Sequence, residues 1–226
     1  MAGIYFIAII FMLIGWAVQA RLRSKFKQYS EIPLSAGLTG KEVAEKMLRA
    51  NGITDVKVES VEGQLTDHYN PLKKTLNLSL DVYNGNNAAA AAVAAHECGH
   101  AVQHAQAYAW LQLRSALVPV VSVTSNIVQW VLLAGILLIN TFPNLLLAGI
   151  IMFAAITLFS FITLPVEFDA SRRALAWLES SGITSQIEHD KAKDALWWAA
   201  MTYVVAALST LVTLFYYIMI YSRRRD

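Results

Sequence analysis

Residues 115–166 read SALVPVVSVTSNIVQWVLLAGILLINTFPNLLLAGIIMFAAITLFSFITLPV, and none of these 52 residues is Asp, Glu, Lys or Arg. A membrane span needs about 20 apolar residues, so this stretch has room for two spans and a turn. Thr141-Phe-Pro-Asn144 supplies the turn, because proline interrupts a helix and asparagine suits a turn. We therefore predict transmembrane helices at 117–140 and 145–164, rather than the alternative of two buried core helices.

Two further uncharged runs extend this pattern toward the ends of the chain. Residues 195–222 are long enough for one more span, and residues 1–20 contain the 17-residue apolar run Ile4–Ala20. A cleaved signal peptide is the alternative interpretation of the first run, because Val18-Gln19-Ala20 resembles a cleavage site. Signal peptides carry positive charge before the apolar stretch, whereas here Arg21 and its basic neighbours follow it. An uncleaved transmembrane anchor is therefore predicted.

The composition is that of a membrane protein. Hydrophobic residues make up 56% of the 226-residue chain and charged residues 15%, against roughly 45–50% and roughly 25% in soluble domains. A net charge of +2 without a long basic stripe gives no reason to expect a nucleic-acid partner. The single cysteine, Cys98, excludes an internal disulfide framework. We expect a mainly α, integral membrane protein with four transmembrane helices, in contact with the lipid bilayer.

The basic residues predict the orientation of these helices. With four spans, segments 21–116 and 165–194 lie on the same side of the membrane and hold 15 of the 18 Lys and Arg residues. Positive charge is retained in the cytoplasm, so both segments are predicted to be cytoplasmic parts of a multi-pass plasma (inner) membrane protein. The remaining three basic residues, Arg223–Arg225, would then lie outside and run against this rule.

The longer of the two polar segments has the pattern of a small α+β domain. Thr39 and Glu42 form a potential capping box at the start of a helix. Residues 56–61 and 75–80 alternate between apolar and polar positions as strands do. Ala88–Ala95 is mostly alanine, the residue with the highest helix propensity, so a second helix is predicted there.

The motif HECGH at 96–100 lies in this second helix. Positions four apart share a helix face, so His96 and His100 can bind the same ion. Zn²⁺ prefers such nitrogen ligands, and a catalytic zinc ion keeps one position for water. Glu97 is adjacent and can serve as the general base that deprotonates this water. The alternative is a pair of surface histidines without a metal.

A catalytic zinc ion has a third protein ligand, and several residues are candidates. His104 lies on the same helix face but about 12 Å along the axis from His96, too far to share the ion. The longer metzincin motif requires a histidine at position 106, where the chain has Gln106. The remaining candidates are His68, His189, Glu167 and Asp169.

The predicted topology favours Glu167 and Asp169 among these. They open the first charged segment after the 52 uncharged residues, on the side of the membrane predicted for His96. The two middle spans form a hairpin that returns the chain to the side it left, so Glu167 emerges beside the helix that follows His100. We predict Glu167 as the third ligand, which leaves the fourth position for water.

Two segments flank the predicted middle spans: HECGHAVQ at 96–103 and PVEFDASRRA at 165–174. This arrangement resembles the YugP-type membrane zinc metallopeptidases. That family is related in layout to the HtpX and CAAX-prenyl membrane proteases. The resemblance covers nearly the whole chain. It implies a zincin-like (gluzincin) domain and Glu167 as the third zinc ligand. The wider group has an aspartate that contacts a zinc ligand, and its position corresponds to Ser171 of this chain. The carboxylate of this chain lies two residues earlier, at Asp169. The resemblance further implies that an extended substrate pairs with the strand around Thr75–Leu80.

These observations predict an integral membrane zinc metalloendopeptidase that cleaves peptide or membrane-protein substrates. Membrane-protein quality control is the role that the resemblance suggests. Candidate donors to the oxyanion are His104, His189, Arg172 and Arg173. The alternative function is a non-catalytic membrane scaffold or insertion factor with a structural or vestigial zinc site, although a closed zinc site has four protein ligands. A transporter is disfavoured because the two middle spans contain no Asp, Glu, Lys or Arg.

Overall fold

The computed structural model describes residues Ala2–Arg223, and Arg224 and Arg225 of the basic triplet lie outside the described residues. The described chain is mainly helical and contains one small sheet. Its elements in chain order are α1 Ala2–Ser30, α2 Gly40–Ala50, β1 Lys57–Val61, β2 His68–Asn70, β3 Thr75–Ser79, α3 Leu80–Tyr83, α4 Ala88–Ala105, α5 Ala109–Leu137, α6 Pro143–Ser180 and α7 Gln186–Arg223.

Four of the described helices, α1, α5, α6 and α7, are long and apolar enough to cross a membrane. The chain divides into two compact units. One unit contains the N-terminal half of α1, most of α5, the first part of α6 and the second part of α7. The other contains residues 18–111 and 165–201. The predicted fold class, a mainly α membrane protein with a small α+β part, is confirmed.

Helices α5 and α6 form an antiparallel hairpin in the first unit. The connection spans residues 138–142, and Pro143 is the first residue of α6, where its missing N–H costs no helical hydrogen bond. Gly135 allows the two backbones to approach closely, because a Cβ atom at this position would lie 2.6 Å from the Cα atom of Leu146. Leu132 and Leu146 are buried in the resulting contact.

The second unit is built around α4, which packs against α2 and the sheet. The alanines of Ala88–Ala95 are buried, and their small side chains let the neighbouring elements enclose this part of α4. Asn87 caps the helix by accepting a hydrogen bond from the Ala90 amide at 2.9 Å. The predicted capping box of Thr39 and Glu42 at the start of α2 is confirmed.

The sheet has the order β1-β3-β2, with β3 parallel to β1 and antiparallel to β2. All five residues of β3 are buried. The expectation that the strand around Thr75–Leu80 pairs with substrate is therefore wrong, because the backbone groups of a central strand are already bonded to both neighbours. The edge strands of the described sheet are β1 and β2, and β2 was not predicted from the sequence.

Candidate active site

Three potential metal ligands converge between α4 and the second half of α6. The Nε2 atoms of His96 and His100 lie 3.3 Å and 3.7 Å from Oε2 of Glu167. All three donor atoms lie within 4.8 Å of one another. Glu167 and His100 are buried, and His96 is partly exposed. The structure thus brings together the three residues that the sequence predicted as ligands.

A close contact between two helices places Glu167 beside the histidines. Helix α6 continues without interruption past its apolar part, so Glu167 projects from a regular helix three residues after Leu164. Gly99 of α4 faces Ala170 of α6, and a Cβ atom at Gly99 would lie 2.6 Å from the Ala170 carbonyl oxygen. A small residue at position 99 of the HECGH motif is therefore needed for Glu167 to approach the two histidines.

Hydrogen bonds to the outer nitrogen of each imidazole orient the rings. Nδ1 of His100 lies 3.1 Å from Oε1 of Gln103. The Gln103 amide group donates to the Val166 carbonyl at 2.8 Å and to Asp169 at 2.9 Å, which leaves Oε1 as the acceptor for His100. Nδ1–H of His100 then donates to Gln103, and the Nε2 lone pair faces Glu167.

His96 is oriented in the same way by a different residue. Its Nδ1 lies 3.1 Å from the hydroxyl oxygen of Ser171, which can accept from Nδ1–H. Asp169, which binds Gln103, is itself held by the guanidinium groups of Arg172 and Arg173. Ser171 and Asp169 therefore support different histidines, the first directly and the second through Gln103.

The donor set fits a zinc ion. Two imidazole nitrogens and one carboxylate oxygen are the protein ligands of a zinc site that keeps a position for water. Burial by itself lowers the pKa of His100, but hydrogen bonding and attraction to Glu167 outweigh it and raise the pKa. The pocket thus favours positive charge beside the Glu167 carboxylate. When both imidazoles are neutral, a divalent cation would supply this positive charge.

Glu97 lies next to these ligands and contacts β2. Its Oε2 atom accepts a hydrogen bond from the backbone amide of Tyr69 at 3.0 Å. The hydroxyl of Tyr69 lies 2.9 Å from Nδ1 of His104. Tyr69 therefore links the predicted general base with a histidine that is one helical turn beyond His100.

The other candidate ligands lie outside the three-residue cluster. The ring nitrogens of His68 contact the Thr66 carbonyl and Asn77. His189 lies in the first turn of α7 and belongs to no ligand group among the described residues. Asp169 binds Gln103, Arg172 and Arg173 instead. Cys98 is buried, its thiol donates to the Ala44 carbonyl, and burial raises its pKa well above the usual value.

Gln103 and Tyr69 are functional contacts that were not predicted from the sequence. Gln103 follows His100 by three residues, a spacing that places both on one helix face, so its role was accessible to a search for side-chain partners of the ligands. Tyr69 carries no such indication, because its contact with Glu97 depends on the position of β2 relative to α4.

Comparisons with known proteins agree with this geometry. The sequence profile of a family described as "Putative neutral zinc metallopeptidase" matches residues 4–222. The chain belongs to this family. It is also 44% identical over 211 residues to "Putative membrane protease YugP" of Bacillus subtilis (strain 168), an alignment that covers 93% of this chain and 92% of that protein. No solved structure matches the chain.

Membership of the neutral zinc metallopeptidase family confirms the resemblance inferred from residues 96–103 and 165–174. Zinc is the metal that the family description names, in agreement with the donor set of His96, His100 and Glu167. The four apolar helices and the membrane-protease relative identify a multi-pass membrane protein.

Proposed function

We propose that the chain is an integral membrane zinc metalloendopeptidase in which His96, His100 and Glu167 hold the metal. The observation that supports this most strongly is the buried carboxylate of Glu167 facing two imidazole Nε2 atoms at 3.3 Å and 3.7 Å. A set of three protein ligands suits catalysis better than a structural zinc site, which is usually closed by four.

In this proposal Glu97 is the general base. When held by His96, His100 and Glu167, zinc would supply Lewis acidity to the scissile carbonyl and would lower the pKa of the attacking water. Glu97 removes the proton from this water and later delivers it to the leaving amine. The amide of Tyr69 binds Oε2 of Glu97 and so limits the orientations of the carboxylate, which leaves Oε1 to receive the proton.

We further propose His104 as the protein donor to the oxyanion. Arg172 and Arg173 are engaged by Asp169, whereas His104 is bonded to Tyr69, which also contacts Glu97. When the Tyr69 hydroxyl donates to Nδ1 of His104, the ring carries its proton on Nε2 and can donate it to developing negative charge.

The variant Glu97→Gln tests the assignment of the base. Purified protein should retain zinc at the wild-type level and lose hydrolysis of casein, as the wild type should after treatment with a chelator. Glu59→Gln, an exposed position on β1, is the matched control and should retain both properties. Substantial turnover by zinc-loaded Glu97→Gln protein would refute the mechanism.

The oxyanion assignment has its own test. His104→Ala should lower kcat by about 10²–10³-fold, the loss typical of one oxyanion donor, with unchanged zinc content. Tyr69→Phe should cause a smaller loss because it removes only the partner of His104. A kcat within twofold of wild type for zinc-loaded His104→Ala would exclude this role.

We propose that the site faces the cytoplasm at the plasma membrane, where peptides or membrane proteins, including those removed by quality control, would be its substrates. This orientation rests on the 15 of 18 basic residues in segments 21–116 and 165–194. In a Cys98→Ala background, Asn144→Cys should react with an impermeant thiol reagent added to intact cells, and Gln64→Cys should not. The reverse labelling pattern would contradict the orientation.

A further inference from the structure

A cavity of about 540 Å³ lies in the second unit at the end of α1. Its walls are the last two turns of α1, the loop before β2, α3 and the first turn of α4. The α4 residues that line it, Ala89 and Ala90, precede His96 by six and seven residues. This corresponds to about 9–10 Å along the helix axis, so the cavity is separate from the three zinc ligands.

Two cations of α1 that form no ion pair among the described residues line this cavity. Arg21 stacks on Trp198 and Lys25 pairs with Asp194, so these two basic residues face α7. Arg23 and Lys27 lie one helical turn apart on the face that lines the cavity. Among the described residues, no carboxylate forms an ion pair with either of them.

The end of the apolar run of α1 predicts that Arg23 and Lys27 lie at the depth of lipid headgroups. The apolar run of α1 ends at Ala20, and the two cations follow it by about 4.5 Å and about 10 Å along the axis. Helical side chains lean toward the N-terminus of the helix, which here is the membrane end. The headgroup layer occupies about 5–7 Å on each side of the hydrocarbon core, so both charged groups reach it.

The lining of the cavity also includes two acidic residues. These are Asp67 and Asp81, and they balance the two cations. Asp67 is held in place by the amide and hydroxyl groups of Ser79. Burial raises the pKa of the Asp67 carboxyl, so a nearby cation would favour its charged form. Apolar side chains of Phe26, Leu65 and Val82 complete the lining.

We propose that this cavity binds the headgroup of an aminophospholipid with a primary amine, such as phosphatidylethanolamine. The phosphate contacts Arg23 and Lys27, and the ammonium group contacts Asp81 and Asp67. The two cations and two carboxylates of the lining complement the phosphate and the ammonium group of this headgroup. Phosphatidylglycerol has hydroxyl groups but no cation for the carboxylates, and the choline group of phosphatidylcholine has no N–H with which to hydrogen-bond.

Binding of short-chain lipids to the purified full-length protein tests this proposal. Dihexanoyl phosphatidylethanolamine, phosphatidylcholine and phosphatidylglycerol are titrated below their micellar concentrations, and binding is followed by native mass spectrometry. Phosphatidylethanolamine should bind about tenfold more tightly than the other two, the gain expected from one charge-assisted contact. Free phosphoethanolamine should bind more weakly than the intact lipid, since it lacks the glycerol and acyl groups that contact Leu65 and Phe26.

Two variants separate the two ends of the headgroup. The double variant Arg23→Gln/Lys27→Gln should weaken binding of all three lipids, because all carry the phosphate. Asp81→Asn should remove only the preference for phosphatidylethanolamine. Lys193→Gln is the matched control, since Lys193 is exposed on α7 two residues before the uncharged run 195–222, and it should leave both affinity and preference unchanged.

Three results would overturn the proposal. Equal affinity for the three lipids would exclude recognition of the amine. An equal loss of binding in Lys193→Gln would show a general effect of surface charge. Displacement of casein peptides by phosphatidylethanolamine, together with lost casein cleavage in the double variant, would assign the cavity to the substrate instead.

Discussion

Gln103 is expected to control zinc affinity without being a ligand. The variant Gln103→Leu retains most of the side-chain volume but removes the acceptor for Nδ1–H of His100. It also removes the donor to the Val166 carbonyl and to Asp169. His100 can then rotate or adopt the other tautomer, in which Nε2 carries the proton and has no lone pair for the metal.

The size of the effect follows from the buried position of Gln103, which has no exposed surface. Loss of a partner that orients a metal-binding histidine typically costs 10–100-fold in metal affinity, which corresponds to about 1.4–2.7 kcal/mol. The metal-free protein should lose about 1–3 kcal/mol of stability, because Asp169 retains Arg172 and Arg173 as partners. Zinc binding should therefore weaken while the protein stays folded.

Competition with a fluorescent zinc chelator measures this affinity on detergent-purified protein, and circular dichroism confirms that each variant is folded. Gln106→Leu is the matched control, because Gln106 is exposed and its side chain accepts a hydrogen bond from Arg173 rather than contacting a histidine of the cluster. The Kd of Gln103→Leu should rise about 10–100-fold and that of Gln106→Leu less than twofold. A folded Gln103→Leu protein with the wild-type Kd would refute the role assigned to the Gln103 hydrogen bonds.

Three further variants or reactions probe the surroundings of the site. Gly99→Ala should lower the free energy of unfolding by about 1–3 kcal/mol and also weaken zinc binding. The added Cβ atom would lie 2.6 Å from the Ala170 carbonyl oxygen and force α4 and α6 apart. Thermal unfolding measures the first effect and chelator competition the second. Ser171→Ala should raise the zinc Kd about tenfold by freeing Nδ1 of His96, and an unchanged Kd would exclude this role. Cys98 should react with iodoacetamide only after denaturation, because burial raises the pKa of its thiol well above the usual value. Mass spectrometry detects the labelled cysteine. Labelling of the folded protein would contradict the buried position of Cys98.

Local sequence patterns were sufficient to predict the helices and the three residues that cluster between α4 and α6. The absence of charge over 52 residues predicted the membrane hairpin, and four-residue spacing predicted that His96 and His100 share a face. Glu167 followed from connectivity, because a hairpin of two spans returns the chain to the side it left. These inferences need only the geometry of single helices and the length of a membrane span.

Contacts that depend on the packing of separate elements could not be predicted. Asp169 and Ser171 are about 200° apart on a helix, which left their roles open in the sequence. The structure resolves this because each serves a different histidine, and Asp169 acts through Gln103. The central position of β3 and the existence of β2 likewise depend on how the sheet is assembled, and three residues are too few for an alternating pattern to stand out.

The most direct test of the account is the zinc stoichiometry of Glu167→Ala, measured by atomic absorption after exhaustive dialysis. His68→Ala is the control, since His68 lies outside the ligand cluster and contacts Thr66 and Asn77. Wild type and His68→Ala should each contain about one zinc ion per chain, and folded Glu167→Ala should contain little or none. A full zinc complement in Glu167→Ala, or its loss in His68→Ala, would contradict the proposed metal site.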